Sequence, residues 1–566
     1  MRLATYLNNM ENQYFHLFSD DDNEGVNMAQ RNNAKESIRV LKNIIRVENE
    51  NVSGCSALKL LFELAKNPED LLPQLSKGFL CEFLYLFLAI QGRSLKSLAS
   101  EDNLKDLNGR EAAKLRSKQL DNYAVTVANF TNRYPSACGE SRVASQTVLK
   151  KDILKYFKSS EEDWEDTAWQ MKHIIKDYAT LKNFISLDKQ EKQGLKLAEK
   201  YNIDVHITPY YLSLFNKGGR CDHDRVVRAQ VIPSAHYCEA VNENRQKGLD
   251  LDFMGEKSTS PIDCITRRYP QILILKPFDA CPQICVYCQR NWEIKDVDKT
   301  CITNEKVEEA IKWIDKNSEV TEVLITGGDP LTMGDGDLDA ILEKVSQIDH
   351  VERIRIGTRT LVTLPYRITD NLCKILAKYH QLGKRELSVV THFEHVSEIS
   401  PDAQYAIRKI REIGISVYNQ QVFTYFNSRK FETCALRKKL KLSGIDPYYT
   451  FNTKGKEETL DFRVPIARVE QEMKEEARLL PGLVRTDEPV FNVPKLGKSH
   501  LRAWQDHEPI MITPDGRRVF RFYPWESNLV GMDSYVYTDV SIYDYLKRLQ
   551  KDGENVDEYN TIWFYF

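Results

Sequence analysis

Three cysteines stand at C-x3-C-x2-C spacing in Asp279-Ala-Cys281-Pro-Gln-Ile-Cys285-Val-Tyr-Cys288-Gln-Arg290, directly after an apolar run at 271–276. Thiolates hold iron–sulfur clusters, and a four-iron cubane needs four ligands. Cys281, Cys285 and Cys288 offer three at close range, which leaves one iron open. An open iron can be chelated by an amino and a carboxylate group. S-adenosylmethionine carries both, and an electron passed into its sulfonium releases a 5′-deoxyadenosyl radical. A zinc clip competes with this reading, but zinc prefers four protein ligands and the chain has no second C-x2-C knuckle. With 12 cysteines in 566 residues, accidental crowding would give this spacing about once in 200 such chains.

The elements that must hold these thiols follow from hydrophobic periodicity. Short β-branched runs at 271–276, 322–326, 353–357, 386–391, 415–422 and 447–451 alternate with helical patterns at 304–316, 338–347, 369–382, 401–413 and 429–442. Such alternation predicts an α/β fold, a parallel sheet rolled as a partial (β/α)6 barrel, with chemistry at the carboxyl ends of its strands. Every strand end turns polar. The cysteines follow the first run and Gly327-Gly328-Asp329 the second; Arg359 and His392 follow the next two, Gln420 lies towards the end of the fifth, and Asn452-Thr-Lys454 follows the last. Adjacent glycines let backbone approach a ligand closely, and Asp329 can pair with the ammonium of the methionine end. A plain turn is the simpler meaning of such a triplet taken alone.

At 566 residues and 42% hydrophobic composition the chain is globular and exceeds one ordinary core. A helical accessory region is expected over 1–158, helical signals recurring at 33–47, 56–66, 77–91 and 109–133. A helical and irregular segment follows over 159–270, the barrel core over 271–465 and a C-terminal region with an aromatic-rich tail over 466–566. Net charge −3 and a pI near 6.5 give no case for nucleic acid or an anionic membrane. The longest apolar segment, 78–90, is interrupted by Glu82 and too short to span a bilayer, so it reads as a buried helix. No signal-peptide order opens the chain, and scattered cysteines beside an oxygen-sensitive cluster predict a reducing cytoplasm.

With these residues in view, positions 164 to 526 resemble the lysine 2,3-aminomutase family of radical S-adenosylmethionine enzymes. The resemblance runs through Trp169-Gln170, Ile207-Thr-Pro-Tyr-Tyr211, Arg268-Tyr269-Pro270, the cysteines with Arg290, Gly327-Gly328-Asp329, Ile354-Arg-Ile-Gly-Thr-Arg359, His392-Phe-Glu-His395, Asn419-Gln420, Pro447-Tyr-Tyr449, Phe462-Arg463 and Pro494-x-x-Gly497-Lys498. It implies an isomerase that uses the adenosyl radical with pyridoxal 5′-phosphate to move an amino group from C2 to C3 of an amino acid, fed by a reducing donor such as flavodoxin or ferredoxin. A homo-oligomer is compatible with it. A saturated amine cannot migrate, whereas an imine to pyridoxal offers a π bond that a carbon radical can attack. The aldehyde-bearing lysine implied is Lys498, with Lys495 competing in the shortened Pro494-Lys-Leu-Gly-Lys498. Arg268 and Tyr269 match the cofactor pocket, although a further family arginine is Ile272 here, and Arg290 matches the grip on the substrate α-carboxylate.

Lysine-acting members meet the distal ammonium with two aspartates. Equal-spacing alignment puts Lys454 and Asn492 at those places, as in the glutamate 2,3-aminomutase branch, which favours a glutamate-like or neutral polar substrate over lysine. A solvated 454–458 loop turned away from the site is the competing reading of Lys454. No cysteine follows Cys434, so the family's C-terminal zinc cluster is not expected. Two other readings stay open: a radical enzyme without pyridoxal, such as an epimerase or dehydrogenase, and a non-catalytic iron–sulfur protein.

Overall fold

A computed structural model describes residues 28–95, 108–249, 252–291, 293–294, 300, 302–453, 456–494, 496–502, 505–524 and 534–566, with positions 5, 9, 12 and 26. All six runs form strands, and their alternation shows why they assemble. Along β2 (Ile272–Phe278) Leu273 and Leu275 are fully buried, while Ile272, Ile274, Lys276 and Phe278 are half-buried. A period of two puts the two sets on opposite faces. The outer set joins its counterparts on β3 (Glu322–Gly327), β4 (Arg353–Gly357), β5 (Glu386–Thr391) and β6 (Ser416–Phe423) in one core with the overlying helices. Those helices, Asn304–Asp315, Asp335–Ser346, Asp370–Tyr379, Pro401–Glu412 and Glu432–Leu442, fall where the 3.6-residue pattern puts them.

The sheet continues past the sixth run. After β7 (Ile445–Asn452), β8 (Glu488–Val493) adds a seventh parallel strand. The edges are antiparallel: β1 (Ile265–Thr266) on β2 and β9 (Gly497–His500) on β8. Strand order follows chain order throughout. The Lys498 ammonium on β9 lies 5.5 Å from the ring of Tyr269, three residues before β2. Opposite edges of the sheet therefore meet through side chains across its inner face, which is a partial barrel; among the described residues no ladder joins β1 to β9.

The N-terminal helices cover the C-terminal region. Strands β10 (His507–Ile512), β11 (Arg518–Phe522) and β12 (Tyr535–Thr538) form a second, antiparallel sheet. Ile510, Ile512 and Val519 share a core with Val40, Leu41 and Ile44 of helix Met28–Ile44 and with Phe79, Phe83 and Leu86 of helix Lys77–Ile90. The aromatic tail is core: Tyr545, Tyr559 and Trp563 pack with Phe423, Tyr425 and Phe520. Helix Lys77–Ile90 is part of a bent pair that passes for a membrane span by composition; among the described residues no single helix is long and apolar enough to cross a membrane.

Glu82, the interruption in that apolar helix, is 1% exposed and takes the guanidinium of Arg518 at 2.9 Å. Arg518 also donates to Trp563 O at 2.9 Å. Glu82→Ala is therefore expected to cost about 3–5 kcal/mol by stranding a buried guanidinium. Denaturant unfolding checks it, and Glu82→Leu with Arg518→Met should recover most of the loss.

A second N-terminal unit touches the barrel itself. Phe130, in helix Gly109–Thr131, stacks on Phe431 at 4.8 Å, and Tyr134 donates to Lys430 O at 2.9 Å. Helix Glu140–Phe157, absent from the periodicity reading, anchors through Arg142, which donates to Leu214 O at 2.8 Å.

Candidate active site

The cysteine loop leaves the carboxyl end of β2 and is clamped from both sides. On one side Gly328 N donates to Phe278 O at 2.7 Å and Asp329 N to Ala280 O at 2.9 Å. A Cβ on Gly328 would stand 2.3 Å from Ala280 O, and one on Gly327, whose φ is +125°, would stand 2.8 Å from Phe278 O. The close approach these glycines permit is to the cysteine loop's own backbone. Asp329 is likewise engaged by the chain, accepting from Thr358 Oγ1 at 2.6 Å, Arg359 N at 2.7 Å and Leu331 N at 3.1 Å. On the other side, Val286 N donates to Gln230 O at 2.8 Å.

Arg359 connects the thiols to a buried polar network. Its Nη1 donates to Cys285 Sγ at 2.7 Å, its Nη2 meets Glu398 Oε1 at 2.7 Å, and its Nε donates to His392 O at 3.2 Å. Glu398 Oε1 also accepts from Tyr211 Oη and Gln230 Nε2, both at 2.8 Å, while Tyr287 donates to Gln230 Oε1 at 2.9 Å. Burial pushes the Cys285 thiol up to about 11 against the opposing pull of Arg359. Metal ligation requires thiolate, so a guanidinium at this sulfur lowers the cost of ligation. The three thiols on one clamped loop with a cation alongside fit a cluster.

The histidine and glutamine expected at this mouth are brought together. Burial, then Arg359, depresses His392 to about 4 and keeps the imidazole neutral, while the Gln420 main chain hydrogen-bonds its ring. Next along the loop, burial raises the Glu394 carboxyl to about 8; its Oε2 accepts from Val422 N at 2.5 Å and its Oε1 is buried without a hydrogen-bond partner. Gln230 and Glu398 were not singled out from the sequence, and Tyr287 and Glu394 stood in quoted motifs without a role of their own. Tyr211 and the His392-to-His395 motif did carry a signal, through the resemblance.

Lys498 sits at the far edge of the same inner face. Register pairs it with Asn492 across the β8–β9 ladder, so the two side chains leave the same side of the sheet as neighbours. The ammonium stands 4.1 Å from the ring centroid of Tyr449, 5.5 Å from Tyr269 and 5.8 Å from Phe451. Arg268, one residue before Tyr269, donates through Nη2 to Met254 O, and its buried Nε has no acceptor. A lysine amine among flat rings, with a buried guanidinium N–H left unsatisfied on the residue before one of them, fits an aromatic aldehyde bearing a phosphate. Arg290 lies beside the cysteines, its Nε 3.0 Å from Glu256. A cavity of about 350 Å³ opens next to the cysteine loop, lined by Lys276, Phe278, Asp279, Glu293, Gly327 and Gly328 among others. Lys454 and Lys495 lie outside the described residues.

Comparison with known proteins agrees with this architecture. The family model described as the Radical SAM superfamily matches residues 275–428. An uncharacterized KamA family protein of Methanocaldococcus jannaschii is 42% identical over 94% of this chain and 89% of its own length. Glutamate 2,3-aminomutase of Clostridioides difficile is 33% identical over 76% of this chain and 95% of its own. L-lysine 2,3-aminomutase of Methanococcus maripaludis is also 33% identical, over 56% of this chain and 72% of its own.

Proposed function

The chain belongs to the KamA family of radical S-adenosylmethionine enzymes, and from that premise we propose that it is a pyridoxal-phosphate-dependent amino-acid 2,3-aminomutase whose substrate is glutamate-like or neutral and polar rather than lysine. The observation that carries this reading is the pairing of Lys498, enclosed by Tyr269, Tyr449 and Phe451, with the uncharged Asn492 across one ladder. A carboxylate at Asn492 would suit a distal ammonium; an amide instead suits a carboxylate or amide.

The residues divide the work as follows. Cys281, Cys285 and Cys288 would hold a [4Fe-4S] cluster, three thiolates leaving it one position for S-adenosylmethionine. Bound together, the cofactors supply an adenosyl radical and a conjugated ring able to delocalise an unpaired electron. Lys498 anchors the aldehyde through its amine. The rings of Tyr269 and Tyr449 exclude water from that amine, and the unsatisfied Nε of Arg268 takes a phosphate oxygen. Arg290 receives the α-carboxylate, and Asn492 meets the distal end of the substrate. Arg359 compensates the negative charge gathered at Cys285. Reducing electrons come from a small donor protein such as flavodoxin or ferredoxin.

Anaerobic incubation of the reduced holoenzyme with glutamate, glutamine and lysine in turn tests the substrate. The expected product is the 3-amino isomer of glutamate or glutamine. Turnover confined to lysine would refute the specificity assignment and leave the reaction class standing.

A further inference from the structure

What holds Arg290 does not lie on the cysteine loop. Its Nε is 3.0 Å from each carboxylate oxygen of Glu256, and its longer contact to Glu293, at 4.0 Å, also runs through Nε. The two terminal amino groups, four of the five N–H donors of a guanidinium, bond no acceptor among the described residues. Glu256 is itself fixed. It is 4% exposed, its backbone N donates to Asp252 Oδ1 at 2.9 Å, and its carboxylate also takes Gln289 Nε2 at 3.2 Å and Lys276 Nζ at 3.4 Å. The turn that carries it also supplies Met254 O to Arg268. One irregular turn therefore sets both arginines that the functional reading assigns to anionic groups.

A carboxylate against a carboxylate-binding arginine has a physical purpose. Glu256 and Glu293 face Arg290 and Lys276, two charges of each sign, so the guanidinium is not buried unpaired before substrate arrives. Held through Nε alone, the side chain has already lost most of its rotamer freedom. That loss then no longer weakens binding, which is what preorganisation means.

We infer that Glu256 is a positioning residue, which orients Arg290 through Nε so that its terminal amino groups receive the α-carboxylate of the amino-acid substrate. The inference rests on the assignment of Arg290 made under the functional reading. Its test is anaerobic equilibrium dialysis of labelled glutamate, glutamine and lysine against the protein loaded with both cluster and pyridoxal phosphate, with iron content and S-adenosylmethionine binding measured alongside. Glu256→Gln is expected to weaken the amino acid that the wild type binds by about 10- to 100-fold, the value of a charged contact, with iron content and S-adenosylmethionine affinity unchanged. In turnover the loss falls on KM with kcat held, and Glu256→Asp, which keeps the charge, restores part of it. Should Glu256→Gln alone not fold, the charge-balanced pair Glu256→Gln with Lys276→Met is expected to show the same selective loss. Wild-type amino-acid affinity in either protein, or an equal loss of S-adenosylmethionine affinity, overturns the inference. Binding of none of the three amino acids by the wild type would instead sink the functional reading, and the inference with it.

Discussion

Lys498→Ala is expected to lower amino-acid turnover by more than about 10⁴-fold, as removal of a covalent anchor does, while the cluster and the reductive cleavage of S-adenosylmethionine survive. The separation is structural. The cysteine loop is clamped by the turns after β3 and by Gln230, whereas Lys498 belongs to the β8–β9 hairpin and contacts Tyr449 at 4.1 Å. Removing its side chain therefore leaves the clamp intact. Lys498→Arg separates two roles of the ammonium: it keeps a cation over the Tyr449 ring but cannot bond to an aldehyde, so it should be as inactive as alanine. Borohydride treatment of protein exposed to pyridoxal phosphate should leave a pyridoxyl label at residue 498, found by peptide mass, and neither variant should carry it. A label at 495 would move the anchor to Lys495; no label at all, with full activity in Lys498→Ala, would favour radical chemistry without pyridoxal.

Why some of this was readable in the chain and some was not comes down to distance along it. Strands β2 to β7 announce themselves because a buried outer face and a half-buried inner face impose a period of two on neighbouring residues, Leu273 and Leu275 against Ile272 and Ile274. The cysteines are legible because their ligand spacing is local. β8 was harder: it follows a run of short turns of helix at 457–484 rather than one periodic helix, so nothing upstream marks it as a further β/α unit. Helix Glu140–Phe157 buries Leu149, Ile153 and Leu154 but is polar elsewhere, which blurs its pattern. Glu82 looked like a break in an apolar helix because its partner, Arg518, stands 436 residues later. Glu256, Gln230 and Glu398 share that difficulty, since each lies in an irregular or short element whose meaning is set by groups that folding brings from elsewhere.

Cys285→Ser is expected to reduce bound iron from about four per chain to near zero, and S-adenosylmethionine cleavage by at least about 10³-fold with it, because two thiolates do not retain a cubane. Cys285 is the informative member of the trio. Arg359 donates to its sulfur at 2.7 Å and opposes the burial that raises this thiol to about 11. A hydroxyl is a far weaker acid than a thiol, so the same cation cannot make serine a ligand. Cys138→Ser, at a sulfur bonded to Ile399 O at 3.2 Å and outside the loop, should keep its iron. The deciding comparison is Cys264→Ser. Cys264 borders the cavity beside Asp279 and Gly328, where a fourth thiolate would fill the cluster's open position. Full iron in Cys264→Ser, with cleavage intact, leaves one iron for the amino and carboxylate groups of S-adenosylmethionine. Loss of iron there would give the cluster a fourth thiolate, close the open site, and remove the chemical basis on which radical generation by this chain is argued.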